Sequence, residues 1–318
     1  MPSLIFNAVL PIFGFIALGY GLARTPVLRG EAAKGLSQFV FFCAIPALLF
    51  RAGTRIFGTE PLSPDLLLAF FAAGIGLHLA LTLWLAKGRG RPLAEAAMAG
   101  MTGVFTNTVM LGLPLAQALY GDWGLLLTSS VIAVNGMLYY TLTTALVELG
   151  RGAGGEGAGA WRQVASGLRG LVRNPILIGT VAGLVWGAVG WPIPTPAARM
   201  IDLLAGAAAP VALVSLGATL AQFRLAGDLA EAAWLSAFKL LLYPAVAGCI
   251  GRFALGMEGD TLALLILLAA LPVGVNPFLL ARRYEVYVQR CGSVVLLTTV
   301  GSIVTVSGLV AMLAPGAP

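Results

Sequence analysis

Two strings interrupt the apolar runs of this 318-residue chain. The first is Phe105-Thr106-Asn107-Thr108-Val109-Met110-Leu111-Gly112-Leu113-Pro114, and the second is Leu271-Pro272-Val273-Gly274-Val275-Asn276-Pro277-Phe278. A proline inside a helix removes one backbone hydrogen bond and clashes with the carbonyl four residues earlier. A nearby glycine gives the chain freedom to unwind. Gly112 and Pro114 in the first string, and Pro272, Gly274 and Pro277 in the second, therefore mark helix breaks. Half-helix N-termini carry exposed N–H donors and partial positive charge, which suits an anion. Asn107 and Asn276 add uncharged donors and acceptors. An amide can meet a carboxylate without the full cost of a buried ion. Proline kinks that serve only helix packing are the competing account. The recurrence of an amide beside each break favours a binding site.

Three further positions could carry chemistry. Asn135 lies in the apolar run that follows the first string and is a third candidate contact, or an interhelical hydrogen-bonding residue. His78 and Lys239 lie deep in other apolar runs. Lys239 could neutralise an anionic substrate, take part in proton coupling, or snorkel toward an interface. His78 has an intrinsic pKa suited to proton transfer, although a lone histidine is more often a packed residue. All thirteen acidic residues fall in expected loops or near helix ends, which disfavours a carboxylate-based coupling site. No nucleophile with its base, no metal cluster and no phosphate loop is visible, so neither an enzyme, a metal nor a cofactor is expected.

The elements that must position these residues are membrane spans. The chain is 59% hydrophobic and 10% charged, whereas an ordinary soluble domain has about a quarter charged residues. A helix crossing the hydrocarbon core needs about 20 mainly apolar residues. Ten such runs are expected: Leu4–Ala23, Leu36–Phe50, Leu66–Ala86, Ala94–Tyr120, Leu125–Leu149, Ile176–Trp191, Ile201–Phe223, Ala230–Phe253, Leu262–Leu280 and Val294–Leu313. The second and sixth are short by this count and should extend further. The N-terminus lacks a secretory cleavage pattern and reads as the first span. Cys43, Cys249 and Cys291 have no metal-ligand spacing and read as packing residues.

Loops after odd-numbered spans carry fourteen of the nineteen basic residues, and loops or helix ends after even-numbered spans carry four. Basic residues are retained in the cytoplasm, so both termini are expected outside it. The positive net charge of +6 comes from these short loops and is no nucleic-acid signal. Residues 150–171 form a Gly-rich linker expected in the cytoplasm. The linker divides the chain into five spans in residues 1–149 and five in residues 172–318. An odd number per half means that the second half enters the membrane from the opposite side, so homologous halves would be inverted repeats. Pro46 and Gly53 in the second span match Pro210 and Gly217 in the seventh at the same separation.

These motifs resemble the auxin efflux carrier family, which includes plant auxin carriers and bacterial permeases assigned to malonate or malate. The resemblance covers essentially the full chain. It rests on residues 8–21, on Phe39-Val-Phe-Phe-Cys-Ala-Ile-Pro46, Asn107-Thr-Val-Met-Leu-Gly-Leu-Pro114 and Arg173-Asn-Pro175, and on Ser215-Leu-Gly217 and Leu271-Pro-Val-Gly-Val-Asn-Pro277. It implies an all-α membrane protein of ten transmembrane helices, built as two inverted five-helix repeats with broken, crossing helices 4 and 9. Helices 1, 2, 6 and 7 would form a scaffold part, and helices 3–5 and 8–10 a transport part moving like an elevator, often within a homodimer. Asn107, Asn135, Pro272 and Pro277 match the family's site positions. The chain departs from plant carriers at Thr106, where they have proline, at Asn276, where they have an apolar residue, and in lacking an acidic residue near His78. Its short central loop is like that of bacterial members, which places it in a bacterial inner membrane. The expected function is secondary transport of a small organic anion, malonate-like, malate-like or auxin-like. A membrane sensor or scaffold that binds such an anion without moving it is the alternative.

Overall fold

The computed structural model describes residues 10–56, 63–151 and 173–313. The expected linker from residue 152 onward lies outside them, as do the first residues of the first expected span. Among the described residues every regular element is helical, apart from one isolated bridge between Thr106 and Val273. Six helices are long and apolar enough to cross a membrane: α2 (Glu31–Arg55), α3 (Pro64–Gly88), α5 (Thr108–Gly150), α7 (Thr195–Leu220), α8 (Leu229–Ala254) and α11 (Val288–Met312). Shorter apolar helices are α1 (Leu10–Leu22), α6 (Pro175–Val189) and α9 (Gly259–Ala270). Two more complete the set, α4 (Leu93–Val104) and α10 (Asn276–Tyr284).

The second expected span does extend, into α2, whereas the sixth remains short as α6. The fourth and ninth expected spans are each split in two, α4 with the start of α5, and α9 with α10. Within α5 the chain reverses at Gly121, whose φ of 60° and ψ of −146° are open to glycine. A Cβ on Gly124 would stand 2.8 Å from the carbonyl oxygen of Ala116. A continuous helix would hold those residues about two turns apart, so α5 is two helices joined by a tight turn.

Glycine seams bind two helix pairs. Helix α1 runs along α7, and α2 along α6. A Cβ on Gly19 would collide with the Val214 backbone, and one on Gly217 with the Ile16 carbonyl. In the second pair, Gly183 abuts the Phe50 carbonyl, and a Cβ on Gly53 would lie 2.8 Å from the Gly183 carbonyl carbon. Small residues let helix backbones approach where lipid offers no hydrophobic drive for association. The same device thus occurs once per pair, with Gly53 and Gly217 at the positions singled out by the Pro–Gly match.

A second duplicated feature precedes each broken helix. Helix α3 ends in a π-type turn, with Arg89 N–H donating to the Trp84 carbonyl and Arg91 N–H to that of Leu85. Helix α8 ends the same way, Leu255 donating to Ile250 and Met257 to Gly251. Gly90 and Gly256 follow, each with a φ of +64°. A twelve-residue helix then starts on each side, α4 and α9.

Charged groups gather at the helix ends. At one end Arg91 and Arg290 both pair with Glu95 and Glu231, and the Tyr287 hydroxyl donates to Glu231. At the other, Arg51 and Arg55 pair with Asp202, and Arg55 also pairs with Asp122. One cysteine expectation needs correction. Cys291 is buried beside Thr102, but Cys43 and Cys249 are exposed, because among the described residues no helix covers those faces of α2 and α8.

The seams give a direct stability test. Gly183→Leu or Gly217→Leu forces a side chain into a backbone contact, and overpacking of this kind costs about 1–3 kcal/mol. The thermal unfolding midpoint in detergent, followed by circular dichroism, should fall for both. Gly14→Ala meets nothing within 4 Å and should leave the midpoint unchanged or slightly raised.

Candidate functional site

The two breaks in α4–α5 and α9–α10 meet. Helix α4 stops at Phe105, whose ψ of 115° is extended, and Asn107 opens α5. Helix α9 stops at Leu271, with ψ 149°. The two non-helical segments pair antiparallel: Asn107 N–H donates to the Pro272 carbonyl at 2.9 Å, and Gly274 N–H to the Phe105 carbonyl at 3.2 Å. Val273 N–H donates to the Thr298 hydroxyl of α11 at 3.1 Å. Peptide groups released by the breaks are thus satisfied by protein, as a membrane interior demands. Gly274 is needed for the approach, since a Cβ there would press against Phe105 and the Thr106 carbonyl at 3.3 Å. Gly112 admits Leu271 in the same manner, at 2.9 Å.

The interruption in the first string falls at 105–107, before Pro114. Pro114 lies in the second turn of α5, directly after the π-type turn Thr108–Gly112, so it follows the break and does not form it. Pro277 occupies the first turn of α10, where its missing N–H is tolerated, and Pro272 lies within the break itself.

A cavity of about 220 Å³ lies at this crossing. Asn107, Asn135 and Asn276 all line it, so three amides predicted from separate runs converge. The walls are otherwise mixed, with Phe41, Phe105 and Ile132 beside Thr106 and Thr108. Among the described residues, the lining contains neither an acidic nor a basic side chain. Asn107 caps α5, its Oδ1 accepting from Met110 N–H at 3.3 Å, which leaves its Nδ2 buried without a partner. Asn135 Oδ1 and Thr106 Oγ1 are also buried without partners. Buried polar atoms are almost always paired, so three such atoms around one cavity call for a ligand or solvent. The Asn276 carbonyl accepts from the Tyr140 hydroxyl at 3.2 Å, fixing the start of α10.

A fourth amide, Asn174, is absent from the sequence-based set of site residues. It lines the same cavity and caps α6, its Oδ1 accepting from Ile176 N–H at 3.0 Å. The signal for it is an Asn-Pro pair at the start of a span, the combination that favours a helix N-terminus. The N-termini of α5, α6 and α10 therefore all open at the cavity, and their dipoles supply partial positive charge without a basic residue.

His78 and Lys239 do not line the cavity. His78 is fully buried in α3, stacked on the Tyr139 ring at 6.1 Å between centroids. Tyr139 in turn packs on Phe105 at 5.9 Å, which places His78 one ring behind the cavity wall. Lys239 is fully buried and donates to main-chain carbonyls of α9 and the break that follows it.

A multi-pass helical bundle with a polar cavity where interrupted helices cross has the layout of a membrane transport protein. The comparison with known proteins makes this specific. The family model described as "Membrane transport protein" matches residues 4–156 and 160–310, and the chain belongs to that family. It is 31% identical to a putative malonate transporter of Rhizobium meliloti (strain 1021), over 98% of this chain and 97% of that protein. It is 25% identical to auxin efflux carrier component 8 of Arabidopsis thaliana, over 89% of this chain and 90% of that one. The uncharacterized transporter YfdV of Escherichia coli (strain K12) is 26% identical over 96% of each chain. The resemblance to auxin efflux carriers and bacterial permeases therefore holds along the whole chain.

The different roles of the amides predict different stabilities. Asn107→Ala removes a helix cap and should cost about 1 kcal/mol. Asn135→Ala removes an unpartnered buried oxygen and should leave stability level or improved. Thermal unfolding of the two purified variants without added ligand checks the ordering.

Proposed function

We propose that this protein is a secondary transporter of a small carboxylate, with the anion held by Asn107, Asn135 and Asn276 at the crossing. The observation that carries this reading is the unpartnered Asn107 Nδ2 and Thr106 hydroxyl, both able to donate, at a cavity on which three helix N-termini converge. An amide N–H and a helix end both stabilise a carboxylate, and neither imposes the desolvation cost of a buried ion pair. The relative named as a putative malonate transporter supports a short carboxylate as substrate.

The transport reading includes two inverted five-helix repeats, residues 1–149 and 172–318, joined by the linker at 150–171. The paired glycine seams and the matching turns before α4 and α9 support it. Helices α1, α2, α6 and α7 serve as the scaffold, and the remaining helices as the moving part. The cavity lies between the two, with Phe41 and Asn174 contributed by the scaffold and the other amides by the moving part. Movement of that part against the scaffold, in an elevator-like manner and within a homodimer, would carry the anion across. The end bearing Arg91 and Arg290 is read as cytoplasmic from the basic loops, with both termini outside in a bacterial inner membrane.

Uptake and efflux of labelled malonate, malate and indole-acetate in proteoliposomes test the function. At least one should move through the wild type. Asn107→Ala and Asn135→Ala should each weaken its apparent affinity about ten- to hundredfold, the worth of a hydrogen bond to a charged group. Absence of flux with all three, together with no thermal stabilisation by any, would refute the reading. Binding without flux would instead favour a sensor.

A further inference from the structure

Lys239 is an unusual buried basic residue. Its side chain has 0% exposure, in the π-type turn Phe238–Leu242 of α8. Its Nζ donates to the carbonyl of Ala269 at 2.6 Å and to that of Leu271 at 2.5 Å. It also lies 5.0 Å from the centroid of the Tyr243 ring on its own helix. Among the described residues it makes no ion pair with a carboxylate. The end of α9 offers its ammonium main-chain oxygens. The Tyr243 ring is the aromatic group against it, and the hydroxyls of Tyr243 and of Tyr139 of α5 both lie beside Gly74.

The two carbonyls explain what holds it there. Ala269 and Leu271 stand at the C-terminal end of α9, where carbonyls lack intrahelical partners. Water cannot serve them inside a membrane, and a cation at this end opposes the negative pole of the helix. Leu271 directly precedes Pro272, whose carbonyl receives the Asn107 N–H. The ammonium is thus two peptide groups away from the residue that caps α5 and faces the cavity.

The charge balance at the crossing follows. The N-termini of α5, α6 and α10 face the cavity and the C-termini of α4 and α9 meet at the same crossing, three positive poles against two negative ones, each about half a charge. These leave a net positive pole of only about half a charge, and a protonated Lys239 would add a whole one, which pairs with no carboxylate among the described residues. We propose that Lys239 is the fixed counter-charge of the anion in the Asn107–Asn135–Asn276 cavity, acting through the 271–274 segment it anchors and without touching the anion. This rests on the reading of that cavity as a carboxylate site. It makes Lys239 a positioning and charge-selecting residue, so the site should distinguish a carboxylate from its neutral amide through a group outside the cavity wall.

The test compares wild type with Lys239→Arg, Lys239→Gln and Lys239→Met, each purified in detergent and checked for wild-type helicity. The probes are malonate, malate and indole-acetate, each paired with its own neutral amide, with binding measured by calorimetry and flux in proteoliposomes. The expected result is that Lys239→Gln and Lys239→Met bind the carboxylate at least tenfold more weakly while affinity for the amide changes less than twofold. Lys239→Arg should restore carboxylate binding to within a few-fold of wild type. Lys239→Gln keeps N–H donors for the carbonyls while removing the charge, so it decides the matter if Lys239→Met does not fold. Carboxylate affinity unchanged in a folded neutral variant overturns the proposal and leaves the transport reading standing. Equal losses for carboxylate and amide also overturn it, because they assign Lys239 a structural role alone. Failure of the wild type to bind any of the carboxylates overturns both.

Discussion

A peptide group inside a membrane must find a hydrogen-bonding partner within the protein, and the rest of this structure depends on how two interrupted helices meet that demand. Neither break could persist alone. The carbonyl of Phe105 and the N–H of Asn107 would be stranded without Gly274 and Pro272, and the reverse holds equally. Each segment completes the other, and Thr298 and Lys239 supply what the pair leaves over. The cavity is the residue of this arrangement. Where helices stop and restart around a shared point, their first turns face inward, and the space between them cannot be filled by a continuous helix.

The chemistry of the cavity follows from the same constraint. A basic side chain on the wall would give strong attraction but would have to shed its hydration each time the anion entered. Amides and helix ends avoid this, because their dipoles are already fixed by the fold. Asn107 shows the economy of the design. Its main-chain N–H joins the crossing, its Oδ1 caps α5, and its Nδ2 remains for the cavity.

Much of this is legible in the sequence, and the limits are physical. Pro272, Gly274 and Pro277 announce a break because proline and glycine act locally, and their effect needs no knowledge of neighbours. Asn135 is legible as a polar residue that lipid would not tolerate, though only the fold shows that it joins Asn107. The antiparallel pairing of 105–107 with 271–274 is not legible, because it is a contact between segments far apart in sequence with no side-chain code. Asn174 escaped for a related reason: an Asn-Pro pair at the start of a helix has a sufficient local explanation as a cap, and its second role appears only when α6 is docked. The glycine seams are hidden by abundance. With 41 glycines in the chain, only the packed structure separates Gly53 and Gly183, which touch another backbone, from Gly14, which touches nothing. The reversal at Gly121 is similarly masked by the apolar residues on both sides.

The crossing is tied chiefly through main-chain atoms, and this bears on how such a protein can diversify. The groups that join 105–107 to 272–274 belong to every amino acid, or in the case of Pro272 to its carbonyl alone. Side chains at Thr106, Asn107 and Val275 can therefore be exchanged for others without cutting the joint, provided that the close approach at Gly274 is kept. Architecture and ligand preference are written in different atoms of the same few residues. A lineage built on this plan can change its cargo by small steps while inheriting the framework intact.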